Sequence, residues 1–213
     1  MKKSKKKVKK KGKNAMFKKK AIAHTPESAH LISKVPGDSF KKGTTLKIPQ
    51  GYEAILMDQD GSQEVIKNIF EMKLDRPVYF IYLAKGNRKI MKTNWGTPTR
   101  IQCETTDGPK TMGAFGSVEF QLKNPIRFIT TRMSDDTYVD ESILAKLVLA
   151  KIPDLFHQVV PDLEPVDTSK ESVLTNTFKK HLTPKLEATL DDLGIQIKSF
   201  VIENMNFNDV EGE

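Results

Sequence analysis

The sequence contains one cysteine and four histidines in 213 residues, and this scarcity argues against several kinds of site. Because Cys103 is the only cysteine, no intrachain disulfide can form and a metal site built from cysteines is not expected. The histidines His24, His30, His157 and His181 do not follow the His-Glu-x-x-His spacing or a comparable ligand motif. We therefore predict no metal, no cofactor and a reducing intracellular environment.

Long hydrophobic runs are also absent. A helix that spans a bilayer needs about 20 consecutive apolar residues, and the longest apolar stretches are 78–84 and the lysine-interrupted 143–152. The N-terminal lysines precede only three apolar residues, Ala21–Ala23, before His24, which does not resemble a secretory signal. We expect a cytoplasmic protein that neither spans a membrane nor is secreted.

Motifs that carry catalysis are missing as well. The segment Gly113-Ala114-Phe115-Gly116 lacks the lysine of a phosphate-binding loop and does not precede a predicted helix. Cys103 lies in a strand-like run without a neighbouring base, so it is interpreted as a packed side chain rather than a nucleophile. The sequence predicts a protein that is not an enzyme, and an enzyme with an unrecognised pocket is the least favoured alternative.

Positive charge, in contrast, is abundant and unevenly placed. Residues 1–20 contain twelve lysines and no acidic residue, whereas residues 21–213 contain 23 basic and 27 acidic residues, a net charge of −4. So much like charge with so few apolar residues is typical of disorder. We predict a disordered polybasic segment over residues 1–20, called the lysine arm below. The lysines predicted to bind anionic lipid or other phosphates are Lys2, Lys3, Lys5, Lys6, Lys7, Lys9, Lys10, Lys11, Lys13, Lys18, Lys19 and Lys20.

The lysine arm suits two classes of target. Near an anionic membrane each lysine contributes about 1 kcal/mol, and Met16 and Phe17 offer side chains for shallow insertion into lipid. The same lysines would bind DNA or RNA phosphates through counterion release, although the arm has no arginine and one aromatic residue for stacking on bases. A solubilising tail is the third interpretation, and the charge pattern alone does not separate the three.

Residues beyond the arm predict an α+β domain. Residues 21–43, with prolines and glycines throughout, predict a linker of loop structure in which short elements stay open, and globular order is expected from about Thr44. Turn signals and short apolar runs then predict an antiparallel sheet with one solvated face. The predicted strands are 45–48, 52–57, 63–66, 78–83, 88–92, 99–104 and 112–122.

Two helices and a closing strand follow the predicted sheet. Helical apolar spacing predicts the first helix over 139–159, capped within 134–137 and bent at Pro153. The second begins at a Thr-x-x-Glu capping box over 168–171, after which leucine or phenylalanine recurs every four residues as far as Leu190. Gly194 predicts its end, and alternating apolar residues predict a last strand from Ile195, with Val201 facing the same way as Ile195. The predicted domain covers 44–207, followed by an acidic tail, 208–213.

The order of these segments resembles the SPFH domain of stomatins, prohibitins, flotillins and band-7 proteins. The segments that carry the resemblance are GTTLKIPQGYEAILMDQDG (43–61), IMKTNWGTPTRIQ (90–102), GAFGSVEFQLKNPIRFI (113–129) and LGIQIKSFVIENM (193–205). The Trp-Gly-Thr-Pro turn and the later Asn-Pro-x-x-Phe element, which contains Pro125, are similar to a soluble bacterial subgroup labelled virion-core-protein-like. In the turn, Trp95 can pack over the sheet, Gly96 permits unusual backbone angles and Pro98 fixes φ.

This resemblance implies a non-enzymatic scaffold that associates with a membrane and organises other proteins, in bacteria often during envelope stress. Many relatives carry a membrane-embedded segment before the domain and a coiled coil after it, where this chain has the lysine arm and residues 208–213. We expect the arm to hold the domain on the inner face of the membrane. A small homo-oligomer formed through sheet edges or helices stays open. The alternative is a nucleic-acid- or virion-associated protein that neutralises phosphates with the arm.

Overall fold

The structure, a computed structural model, describes residues 21–133 and 135–210. Within these residues, twelve strands, three α-helices and a 3-10 turn at Val160–Asp162 form the predicted α+β fold. The strands are β1 (Ala21–Ala23), β2 (His30–Lys34), β3 (Thr45–Lys47), β4 (Tyr52–Met57), β5 (Gln63–Ile66), β6 (Glu71–Lys73), β7 (Phe80–Lys85), β8 (Met91–Gly96), β9 (Ile101–Thr105), β10 (Gly108–Leu122), β11 (Tyr138–Asp140) and β12 (Ile195–Asp209). The helices are α1 (Pro125–Arg132), α2 (Glu141–Val159) and α3 (Glu171–Asp191).

The described strands form three sheets. A five-stranded antiparallel sheet has the order β11-β2-β7-β4-β5, and another sheet has the order β12-β10-β8, with β9 pairing the first part of β10. The third, called the small sheet below, has the order β1-β3-β6. In the small sheet β1 runs parallel to β3, which departs from the antiparallel pairing predicted for the sheet.

The segment 21–43, predicted as a loop, contains two of these strands. β2 lies between β7 and β11, and its residues Leu31 and Ile32 are buried in the core. The short strands fall within what was left open for this segment, but the packed domain begins before Thr44, because β2 has only five residues between turn signals and its burial is not visible in its own pattern. β1 is shorter still, and it is held by its pairing with β3 rather than by its own sequence pattern.

The apolar side chains form two clusters. One contains residues of β4 and β7 together with Leu46 of β3, so it lies between the small sheet and the five-stranded sheet. The larger cluster contains residues of both larger sheets and of all three α-helices. The small sheet therefore has a core of its own, distinct from the one that the helices cover.

Helix α1 was missed by the sequence prediction. The side chain of Asn124 accepts a hydrogen bond from the backbone N–H of Arg127 at 3.1 Å and caps the helix. Pro125 occupies the first turn, where its missing N–H leaves no bond unmade. The Asn-Pro-x-x-Phe element therefore caps and begins this helix.

The other two helices start later than their predicted caps. Asp140, not a residue of 134–137, caps α2, and its carboxylate accepts from the N–H of Ile143 at 2.9 Å. Lys170 is the N-cap of α3 and makes no side-chain capping bond, so the predicted capping box at Thr168 was wrong. Asp167 instead accepts hydrogen bonds from the backbone and the hydroxyl of Ser169.

The apolar stripe of α3 is confirmed. Leu174, Phe178, Leu182, Leu186 and Leu190 are each at most 4% exposed. Four-residue spacing keeps these side chains on nearly one face of a helix, and that face packs into the larger core.

The closing strand is longer and less regular than predicted. β12 continues to Asp209, into the segment expected to be an acidic tail. Its register with β10 shifts between Glu119 and Phe120, so the strand changes phase after Ile197. Phe200 is consequently buried together with Ile197, whereas Val201, predicted to share a face with Ile195 and Ile197, is 39% exposed.

A second register shift in the same pairing falls at Gly116. A Cβ atom at Gly116 would overlap the carbonyl oxygen of Val201 and lie 3.0 Å from Cζ2 of Trp95. Three neighbouring strands thus approach each other closely at a residue without a side chain. Gly113 is three residues earlier in β10, and a Cβ there would meet only Thr97 Oγ1 at an ordinary 3.7 Å.

We predict that Gly116→Ala destabilises the domain by about 3 kcal/mol, because forcing extra atoms into a closely packed region costs 1–3 kcal/mol or more. Gly113→Ala, the matched control in the same strand, should change the free energy of unfolding by less than about 1 kcal/mol. Urea denaturation followed by circular dichroism measures both. Equal midpoints for the two variants would show that the approach at Gly116 is not constrained.

Candidate functional site

Across the described ranges 21–133 and 135–210, no three His, Cys, Asp or Glu side chains are placed to hold a metal ion. His157 lies with its Nε2 3.3 Å from the Thr99 hydroxyl. His181 lines a separate surface pocket beside α3. These two histidines therefore share no site.

Cys103 is a packed side chain, in agreement with its interpretation from sequence. It is 5% exposed, and its thiol donates to the carbonyl oxygen of Lys110 at 3.6 Å. Burial raises the pKa of the Cys103 thiol, which decreases the fraction present as the reactive thiolate.

His24 and His30 come together in a surface pocket of about 470 Å³. Nε2 of His24 lies 2.9 Å from the Ser33 hydroxyl. The ring of His30 stacks on Tyr138 with centroids 4.1 Å apart, and its Nε2 is 3.6 Å from a carboxylate oxygen of Glu27. Burial, and secondly the nearby His30, lower the pKa of His24.

Trp95 of the Trp-Gly-Thr-Pro turn belongs to the core rather than to a cleft. Trp95 is 4% exposed and stacks on Phe200 with centroids 5.1 Å apart, while Phe156 lies 5.4 Å away at a tilt. The tryptophan thereby joins β8, α2 and β12.

The glycine and the proline of that turn lie at the surface. Gly96 and Pro98 are exposed. Gly96 does not have a positive φ, and a Cβ there would have ordinary contacts of 3.7 Å. The expectation that Gly96 supplies an unusual backbone angle was therefore wrong.

The predicted binding residues of the lysine arm, including Met16 and Phe17, lie outside the described residues. Ala21, the first described residue, follows Lys20 directly and begins β1 of the small sheet. By register Ala21 lies opposite Thr45 of β3, and Thr45 lies opposite Lys73 of β6. The arm is therefore joined to the domain at one end of the small sheet.

The small sheet carries its own excess of positive charge. In β3 and β6, Leu46 is buried and Met72 partly buried, and they alternate with exposed Lys47 and Lys73. Segments 41–49 and 67–74, which contain these strands, hold five lysines and one acidic residue. Residues 21–213 as a whole have a net charge of −4, so the basic surface adjoins the arm in an otherwise acidic domain.

Sequence reasoning missed this basic surface. Lys47 and Lys73 are 26 positions apart and each lies among polar or apolar neighbours, so neither forms part of a charge run. Only the pairing of β3 with β6 brings the two segments together. The lysine content of the two segments was visible in the sequence, but it predicts one basic surface only when the register of β3 with β6 is known.

Comparison with known protein families identifies the fold. The family described as SPFH domain-Band 7 matches residues 63–212, more than two thirds of the chain. The chain belongs to the SPFH domain–Band 7 family. No curated protein matches it. The match covers β5 to β12, whereas β1 and β3 of the small sheet precede it.

Membership of the SPFH family is consistent with a non-enzymatic scaffold. No α-helix within the part of this SPFH domain that the structure describes is both long and apolar enough to cross a membrane.

The histidine pocket predicts a pH dependence of stability. Because the pKa of His24 in the folded state is below its ordinary value of 6.5, the unfolded chain takes up the proton more readily as the pH falls. The contribution of neutral His24 to the free energy of unfolding is fully present above pH 6.5, and it is lost as the pH falls through the folded-state pKa of His24. We expect His24→Gln to remove part of the stability loss between about pH 7 and 5.

Unfolding free energies measured in urea at several pH values test this expectation. His157→Gln removes an exposed histidine and serves as the matched control, which should keep the pH dependence of the unchanged chain. Identical curves for His24→Gln and the unchanged chain would contradict the prediction.

Proposed function

We propose that this SPFH domain is a non-enzymatic scaffold that docks peripherally on the anionic inner face of the cytoplasmic membrane through its lysine arm. The observation that carries the proposal is the distribution of charge. Twelve lysines precede β1, and the two exposed lysines of the small sheet, Lys47 and Lys73, continue the positive surface from the point where the arm is joined.

The rest of the domain has the opposite charge. Outside the arm and segments 41–49 and 67–74, the chain has 18 basic and 26 acidic residues. An acidic surface is repelled by an anionic membrane, so this part of the domain is suited to contacts with partner proteins. Organisation of partners during envelope stress, membership of the virion-core-protein-like subgroup and a small homo-oligomer belong to the same proposal.

The expected strength of binding is sufficient for reversible recruitment. At about 1 kcal/mol per lysine near an anionic leaflet, six of the twelve arm lysines would contribute several kcal/mol. Salt at physiological concentration screens charges over a Debye length of about 8 Å. The attachment should therefore be strong at low salt and weak at high salt.

We predict that the full-length chain floats with vesicles containing phosphatidylserine at low salt and is released at high salt. A full-length variant with the twelve arm lysines replaced by glutamine should bind at least about 100-fold more weakly, since a tenfold change corresponds to about 1.4 kcal/mol. A chain that starts at Ala21 should behave like that variant. Vesicles of phosphatidylcholine alone are the control for charge.

Equal binding of the full-length chain and the lysine-to-glutamine variant would refute the role of the arm. Duplex DNA added as a competitor tests the alternative target. If DNA binds the full-length chain and phosphatidylserine vesicles do not, the nucleic-acid alternative replaces the membrane proposal.

A further inference from the structure

The loop between β5 and β6, residues 67–70, exposes two adjacent large apolar side chains. Phe70 is 64% exposed and Ile69 is 45% exposed. Within the described part of the chain, Phe70 has the largest exposed fraction among the large hydrophobic residues. A single exposed apolar residue is normal on a soluble domain, but two in one loop require a reason.

The backbone holds this loop in a defined conformation. Asn68 has φ of +57°, and it is the one non-glycine with positive φ among residues 21–133 and 135–210. The carbonyl oxygen of Phe70 accepts a hydrogen bond from the N–H of Ile48, next to the end of β3, at 2.8 Å. The two apolar side chains are therefore presented at the margin of the small sheet by a fixed turn.

Basic residues surround the loop. Lys67 is the first residue of the loop, Lys47 lies opposite Glu71 by register, and Lys73 is two residues further along β6. The acidic residue on this strand is paired, since the Glu71 carboxylate is 4.0 Å from Nζ of Lys47.

The pocket beside the loop also contains more basic than acidic side chains. It has a volume of about 450 Å³ and contains one carboxylate, that of Glu53, whose side chain is 6% exposed. Glu53 pairs with both Arg88 and Lys67, the latter at 3.5 Å. Two cations against one carboxylate leave an excess of positive charge next to the exposed apolar pair.

The loop and the arm belong to opposite ends of one short strand. Ala21 follows the arm and lies opposite Thr45, at the start of β3, while Phe70 bonds to Ile48, just after its end. Three residues of extended chain span about 10 Å, and because β1 and β6 flank β3 on opposite sides, two strand spacings add about 10 Å across the sheet. One bilayer surface can therefore meet both features at once, and two linked attachments bind more tightly than either alone.

We propose that Ile69 and Phe70 insert into the bilayer and form a second membrane contact in addition to the lysine arm. The inference rests on the proposed membrane docking and adds a folded contact site to it. Two side chains are too few for a stable protein interface, which buries about 800 Å² per partner. A small apolar pair with a basic surround is instead suited to shallow insertion between anionic headgroups.

Vesicle flotation of the full-length double variant Ile69→Ser/Phe70→Ser tests the contact. We expect its partitioning onto phosphatidylserine vesicles to be about tenfold weaker than that of the unchanged chain. This fold-change corresponds to about 1.4 kcal/mol, less than the full burial of one such side chain provides. Val173→Ser is the matched control, because Val173 is 58% exposed but lies on α3, and its partitioning should be unchanged.

The salt dependence separates this contact from the arm. The tenfold ratio between the unchanged chain and the double variant should persist at every salt concentration where binding is measurable, since apolar insertion is not screened. A ratio that falls to one as salt rises would show that the variant acted through charge, and would overturn the insertion.

An environment-sensitive dye attached to Phe70→Cys reports insertion of this residue directly. Val173→Cys is the control. The unchanged chain, in which Cys103 is buried, is the blank for labelling. Phosphatidylserine vesicles should shift the emission of the dye to the blue at position 70 and not at 173. If the chain binds vesicles through its arm without this shift, the loop proposal fails and the arm proposal stands. If the full-length chain does not bind vesicles, both fail.

Discussion

The pairing of β10 with β12 is the interaction on which the rest of the structure depends. It joins thirteen residue pairs from Lys110↔Asp209 to Leu122↔Ile195, and thus brings the end of the described chain against its middle. β10 also pairs with β8 and β9, and α3 packs on β12. The absence of a side chain at Gly116 lets β12 approach Trp95, whose ring joins two of these strands to α2.

The apolar clusters that stabilise the fold are separate from the surface proposed to bind lipid. The helices and the β10–β12 pairing enclose the larger apolar cluster, while the small sheet closes a second one against β4 and β7. Lysines at outward positions of β3 and β6 therefore leave both cores intact. The charge of the small sheet can differ from that of the rest of the domain because neither cluster includes these side chains.

The sequence predicted those elements whose periodicity is strong. The bounds of β4 and β5 agree with the predicted strands, and the stripe of α3 from Leu174 to Leu190 is buried throughout. Elements held by distant partners were missed, since β2 is short and its burial depends on β7 and β11. The orientation of Val201 was wrong because a bulge after Ile197 changes the phase of the strand, and an alternating pattern contains no sign of it.

The lysine arm could be recognised from sequence, whereas the basic surface of the small sheet could not. Twelve lysines in twenty residues are visible without a structure, whereas Lys47 and Lys73 form one surface only through the register of β3 with β6. The distinction matters for mechanism. Charge on a lysine-rich segment gives attraction without a fixed orientation, because any of its lysines can meet any phosphate. A folded contact at the opposite end of β3 from the point where that segment is joined would fix which side of the domain faces the bilayer. Helices α2 and α3, which pack mainly on the β12-β10-β8 sheet, would then stay available to partner proteins.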